Sequence, residues 1–363
     1  MKSGNVTGNV YRRSIYHKLN CGKNEKSAVT GENCAFFLPE FPSDGFFGET
    51  PQGGNGGAGA AGVRIAAAMS HTSYPGETGG KYAVYAAANQ AAAAGAARLS
   101  GVLLRILLPS GAPEQLLGRI AKGAREAADE LGIPVLDAKA QVSFGITVPL
   151  TSAAALGGAK AGDKAPEQGR EQGSGKDGRE GPEDRQVVMT KWAGLEGSAI
   201  LADLCGEKLR ERYPAWLLEE ARGMEGFLSV CKEAEIAAKA GADALCAAAE
   251  GGIFHALWTL AQRAGVGLDI DLKKIPIRQE TVEICNALDR NPYGLLSNGS
   301  LLCLTPRGDR LVRALQEEGI PAAVIGFAAD GNDRVVRNGE ETRFLEPAGE
   351  DEIYQIWKEK VWI

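Results

Sequence analysis

Apolar residues recur along this chain with two different periods, and the changes of period mark its elements. Over 113–131, Leu116, Leu117, Ile120, Ala124, Ala127 and Leu131 return at the spacing of one helix face. Pro113 suits the opening of that helix and Gly132 its end. Residues 81–96 are Ala-rich and apolar nearly all round, which predicts a buried helix. Between them, 101–108 (GVLLRILL) is a continuous apolar run of central-strand length. Residues 63–69 are strand-like, and 133–136 and 141–148 predict two further strands.

The second half repeats the alternation. Strands are predicted over 187–190, 242–247, 266–272, 300–305 and 322–328. Helices are predicted over 197–212, 215–222, 228–240, 251–264, 278–288 and 309–318. Residues 334–337 and 342–344, joined across Asn338-Gly339, predict a hairpin. Both halves are therefore mixed α/β, each a sheet with helices packed on it.

Composition adds two segments with no pattern. Residues 53–62 carry six Gly in ten, and the run passes into Ala60-Ala61-Gly62-Val63 rather than the Gly-Lys-Ser/Thr of a phosphate loop. Residues 157–186 hold eight Gly and thirteen charged residues in thirty. Such a stretch buries too little surface to offset its ordering entropy, so it is expected to be disordered. The expected organisation is an N-terminal domain over 1–156 with a flexible 38–62 loop, a linker over 157–186, a C-terminal domain over 187–347 and a helix or tail over 348–363.

With 363 residues, 44% hydrophobic and 24% charged, a two-domain globular chain is expected. The formal charge of -6 lacks the basic surplus of a nucleic-acid groove. No apolar run reaches the roughly 18 residues of a membrane span, and the first residues show no secretory pattern. The seven Cys are scattered without a CxxC, which fits buried thiols in a reducing cytoplasm.

The three His are dispersed. His255 lies among core-like neighbours and is read as structural, His71 as a loop residue, and His17 as solvated. Glu250-Gly251-Gly252 follows a strand and opens a helix, and Gly194-Leu195-Glu196-Gly197 has the same shape. Exposed N–H groups at such starts suit an anion. Equally, Gly at a junction lets two backbones approach closely.

These stretches carry a resemblance. Residues 191–198 (KWAGLEGS), 249–253 (AEGGI), 265–271 (GVGLDID) with 275–277, and 295–301 (LLSNGSL) resemble the aminoimidazole-ribonucleotide (AIR) synthetase superfamily. A weaker match lies at 323–326, and in the first half 82–96, 103–109 and the helix to Gly132 agree. Within the superfamily the chain is similar to the hydrogenase maturation branch of the HypE type and to AIR-synthase-related proteins. The resemblance implies a two-domain PurM-like fold, dimerisation through N-terminal sheets, and ATP with magnesium in a cleft. In the hydrogenase branch, ATP drives dehydration of a thiocarbamate on a C-terminal Cys to a thiocyanate.

The departures fall on charge. Gly31-Glu32-Asn33 stands for the family's Gly-Glu-Asp, and Asn89-Gln90 for its Asn-Asp. Residues 138–141 align with Gly-His-Thr-Glu, and 246–252 (CAAAEGG) with His-Asp-Pro-Thr-Glu-Gly-Gly. Asn33, Gln90, Gln141 and Ala247 thus take the places of carboxylates, and Thr72-Ser73 stands where an Asp-Pro is usual. Magnesium is held by carboxylate oxygens and phosphates, which amides do not replace. The last four residues, 360–363 (KVWI), lack the branch's Cys.

The resemblance and the glycine-opened helix starts give one candidate nucleotide-binding set: Asn33, Asn89, Gln90, Gln141, Gly194, Gly197, Glu250, Gly251 and Gly252. No catalytic residue or metal ligand is assigned. The leading expectation is a cytoplasmic, homodimeric binding or scaffold protein with a degenerate site, weak ATP binding and little use of magnesium. Two alternatives stand beside it. One is an active ATP-dependent enzyme using Glu32, Glu196 and Glu250. The other is a binding module for a small molecule.

Overall fold

The computed structural model of the chain describes residues 28–30, 35–37, 64–96, 98–159, 185–347 and 349–359. In the first half the elements are β1 (Ala28–Thr30), β2 (Ala35–Phe37), β3 (Arg64–Ser73), α1 (Gly79–Ala93), β4 (Arg98–Pro109), α2 (Glu114–Glu130), β5 (Val135–Ser143) and β6 (Leu150–Ala159). The second half begins with β7 (Gln186–Thr190), α3 (Leu195–Leu204), α4 (Gly206–Arg210), α5 (Ala215–Gly223), α6 (Cys231–Lys239), β8 (Ala244–Ala247) and α7 (Gly252–Ala264). It continues with β9 (Gly267–Asp271), α8 (Gln279–Leu288), β10 (Leu301–Thr305), α9 (Gly308–Glu317), β11 (Ala322–Ala329), β12 (Arg334–Asn338), β13 (Glu341–Phe344) and α10 (Glu352–Glu359).

Two mixed sheets result, as the alternation of patterns predicts. The first has the order β1-β2-β3-β6-β4-β5 and the second β13-β12-β9-β11-β7-β10-β8. Helix α1 is buried on nearly every side, because its small Ala side chains let it pack against the first sheet, α2 and the second domain together. Asn89, fully buried on α1, donates to Leu228 O (2.7 Å) and Asn298 Oδ1 (2.8 Å) and accepts from Val230 N–H (2.8 Å). These bonds tie the two domains across a buried contact, where an unmet polar group would be costly.

The structure differs from the sequence reading in four places. Strand β5 is continuous over Val135–Ser143, and 144–149 is the turn after it, because the parallel ladder with β4 runs through Ser143. The next strand, β6, reaches Ala159, with Gly157 opposite Ala66 and Leu99. Its 157–159 positions therefore belong to the sheet and not to a linker. The helix expected over 197–212 is two helices broken at Cys205, where a Cβ on Gly206 would meet Arg222 Nη2 at 2.8 Å. His71 lies within β3, opposite Ser152, and not in a loop. The flexible 38–62 loop and residues 160–184 of the expected linker lie outside the described residues. Among the described residues no helix is long and apolar enough to cross a membrane.

Candidate functional site

A cleft of about 170 Å³ opens between the two sheets. The end of β3 and the residue after it supply His71 and Tyr74, α1 supplies Gln90, and α3 supplies Glu196. Cys246, Ala247 and Glu250 come from the end of β8 and the turn after it, His255 from α7 and Asn298 from the loop before β10. Helix α10 closes one side with Ile353, Tyr354 and Trp357.

The two glycine-opened helix starts are drawn together by residues 291–298. Gly194 (φ +67°) donates its N–H to Ser297 Oγ (2.8 Å), and Gly197 donates to Leu296 O (2.9 Å). Gly252 (φ +66°) donates to Ala249 O (3.2 Å), and a Cβ there would lie 2.4 Å from Tyr293 O. A Cβ on Gly197 would lie 2.4 Å from Leu295 Cγ. Close backbone approach thus accounts for Gly252, and close packing of the Leu295 side chain for Gly197. Gly251 (φ +79°) donates to a side chain instead, Asp351 Oδ2 at 2.6 Å.

Asp351 is the residue the sequence reading missed. Its carboxylate also accepts from Ile353 N–H (2.9 Å) and Leu296 N–H (3.3 Å), and only 2% of the residue is exposed. Burial nevertheless pushes its carboxyl up to about 7, helped by the charge of Glu250. Tyr354, one turn on, donates its hydroxyl to Glu250 Oε1. Glu196, 3% exposed, is pushed up to about 8, first by burial and then by neighbouring acids that include Asp351. Glu196 and Glu250 line the cleft, and Asp351 stands beside it against Gly251 and Leu296. A short Asp-rich motif would have drawn attention to this corner, but Asp351 stands some hundred residues from its partner.

The other predicted positions separate. Gln90 borders the cleft and donates Nε2 to Ala247 O at 3.3 Å, so these two aligned positions are neighbours in space. Asn89 is turned to the domain interface. Gln141 is exposed on β5, in register with Leu107 and away from the cleft. Asn33 lies outside the described residues, as does Glu32. His255 borders the cleft from within a helix whose Ile253, Ala256 and Leu257 are buried in the core. Among the described residues no group of three or more His, Cys, Asp or Glu side chains is arranged to hold a metal ion.

Two mixed sheets with helices packed on them, and a polar cleft between, make a two-domain mixed α/β architecture. The chain belongs to the AIR synthase related proteins: residues 55–159 match that family's N-terminal domain and residues 184–338 its C-terminal domain. It is 27% identical over 277 residues to the carbamoyl dehydratase HypE of Azotobacter vinelandii, covering 73% of each chain. It is 26% identical over 266 residues to the hydrogenase expression/formation protein HupE of Azotobacter chroococcum mcd 1, covering 70% of each. Among solved structures, E. coli HypE superposes with a TM-score of 0.62 at 19% identity, over 80% of this chain and 88% of that one. A HypE in complex with ATP gives 0.60 at 16% identity, over 96% and 97%. A ThiL bound to AMPPCP and TMP gives 0.61, also at 16% identity, over 95% and 98%. One architecture thus serves different chemistries, and the site must decide between them.

Proposed function

We propose that this chain is a hydrogenase-maturation-type protein whose interdomain cleft takes a nucleotide with little help from magnesium, and that it acts by binding rather than by turnover. The observation that carries the reading is the contact between Gln90 and Ala247. These two positions, aligned with metal-holding carboxylates, meet at the cleft wall as an amide and a backbone carbonyl. Magnesium, which is usually held by carboxylates and substrate phosphates, gains little from such an uncharged pair. The HypE structure with ATP supports a nucleotide as the ligand class.

Calorimetry with ATP, with and without magnesium, tests this. Weak binding that magnesium hardly changes, without hydrolysis, is expected. The double variant Gln90→Asp/Ala247→Asp should make binding depend on magnesium. Tight magnesium-dependent binding with turnover by the parent protein would refute the reading.

A second reading, an active ATP-dependent enzyme, is favoured by Glu196. A buried carboxyl that titrates near 8 can give or take a proton at neutral pH. Were ATP turnover found, Glu196→Gln should abolish it and leave ATP affinity nearly unchanged. The binding-protein reading requires no turnover in either form. The protein is also proposed to work as a homodimer through the uncovered face of its first sheet.

A further inference from the structure

Two side chains grip the segment 227–230 by alternate backbone groups. Lys191, just after β7, bonds Phe227 O (2.7 Å) and Ser229 O (2.5 Å) through its Nζ, and Glu233 fixes that ammonium (2.6 Å). Asn89, on α1 of the first domain, takes the groups between: its Nδ2 donates to Leu228 O (2.7 Å), and its Oδ1 accepts the Val230 N–H (2.8 Å). A backbone acceptor and a backbone donor leave the Asn89 amide one orientation, since turning it over would set like groups against each other. The other Nδ2 hydrogen goes to Asn298 Oδ1 (2.8 Å). Asn298 is oriented in its turn. Its oxygen faces Asn89, its NH2 is left for the other side, and the side chain is paired there with Glu196. None of the three residues is more than 3% exposed, so water competes little for these bonds.

We infer that Asn89 is a positioning residue for the cleft: anchored on the backbone of the second domain, it turns the Asn298 amide so that a donor meets Glu196, and so ties the hydrogen bonding of a cleft carboxyl to the docking of the two domains. The charged groups near Glu196 are acids from three other segments, Glu225, Glu250 and Asp351, and His71 and His255 border the same cleft. None of the described lining residues is Lys or Arg. Asn298 is thus the side chain that favours the ionised form of Glu196, against burial and three acids. Asn89 alone in this network belongs to the first domain. Parting the domains by the length of one hydrogen bond withdraws it, frees Asn298 to turn, and takes the fixed donor from Glu196. The inference goes beyond the nucleotide reading and holds whichever ligand the cleft takes.

The test uses the full chain without ligand, its Glu carboxyls isotope-labelled, and reads the titration midpoint of Glu196 by NMR. The Glu196 signal is the one absent from Glu196→Gln. Asn298→Ala removes the donor and should raise the midpoint by about one pH unit. Asn89→Leu fills similar space, leaves Asn298 without its fixed orientation, and should raise the midpoint by roughly half a pH unit or more. In the Asn298→Ala background, Asn89→Leu should add nothing, because its effect runs through Asn298. Should Asn89→Leu fail to fold, Asn89→Ser, polar but too short to span to Asn298, takes its place with the same expectation. A folded variant at position 89 that is less stable yet leaves the midpoint where it was would make Asn89 a structural tie only and overturn the proposal. A shift that persists in full in the Asn298→Ala background would overturn it as well. No nucleotide is present, so neither result bears on the nucleotide reading, which calorimetry tests separately.

Discussion

Glu196 and Asp351 make stability depend on pH in a direction opposite to that of ordinary paired carboxylates. Each is pushed above its unfolded value by burial, to about 8 and about 7. The folded state therefore holds protons that the unfolded state releases, and stability falls as pH rises from the usual carboxylate range through 7 and 8. Glu196→Gln should remove the upper part of that slope. Thermal melts should show it more stable than the parent at pH 8.5, on the order of a few kcal/mol, and nearly equal at pH 5. A parent melting temperature that rises between pH 6 and 8.5 would contradict the assignment.

Lys191 presents the opposite case, a buried charge that is fully met. Its Nζ bonds Glu233 (2.6 Å), Phe227 O (2.7 Å) and Ser229 O (2.5 Å), and it holds φ at +53°, a region non-glycine residues seldom occupy. Glu233→Gln leaves the ammonium buried without its counter-charge and should cost about 3 kcal/mol in urea unfolding. The exposed pair Lys239–Glu235 is the control, since Glu235→Gln should cost no more than about 0.5 kcal/mol.

At the scale of elements, the helix starts carry the most information. The pattern Gly-Gly after a strand was legible as a junction but not as to purpose, because phosphate cradling and close packing leave the same residues. The geometry separates them at Gly252, which combines φ +66° with a neighbouring backbone where its Cβ would go. Gly252→Ala should therefore cost about 2 kcal/mol or more, whereas Gly241→Ala, with φ +79° and open space around it, should cost about 1 kcal/mol from conformation alone. Equal losses on denaturant unfolding would mean that the loop over α7 can give way.

Elements with strong periods, such as α2 and β4, stood out in the sequence. Strand β6 did not, because in LTSAAALGGA the buried positions are Thr151, Ala153, Ala155 and Gly157 while the other face carries Ser152, Ala154 and Leu156, so there is almost no hydrophobic contrast to read. The site was legible in part. Glu196, Gln90 and Glu250 lie in recognisable stretches, but Asp351, Tyr354 and Trp357 come from a tail whose apolar residues read only as a generic helix. Their role depends on a contact between positions a hundred residues apart, which no local pattern encodes.

At the scale of the whole molecule, one side of the first sheet is left uncovered. In β3, β6 and β4, Ala68, Ala155 and Val102 form one cross-strand row, buried beneath the helices. The next row, Met69, Ala154 and Leu103, faces the other way because side chains alternate along a strand. Met69 is 71% and Leu103 38% exposed there, with no helix of the described chain over them. Apolar side chains grouped on one sheet face are a usual mark of association. A second copy can present the same face under a two-fold axis, as most homodimers do. The expected state is therefore a dimer at micromolar concentration, seen as twice the chain mass by light scattering. Met69→Lys and Leu103→Lys together place four charges across such an interface and should yield monomers. Since neither residue supports its own domain's core, the far-UV spectrum should not change. A parent that runs as a monomer, or a double variant that still dimerises, would rule out this face.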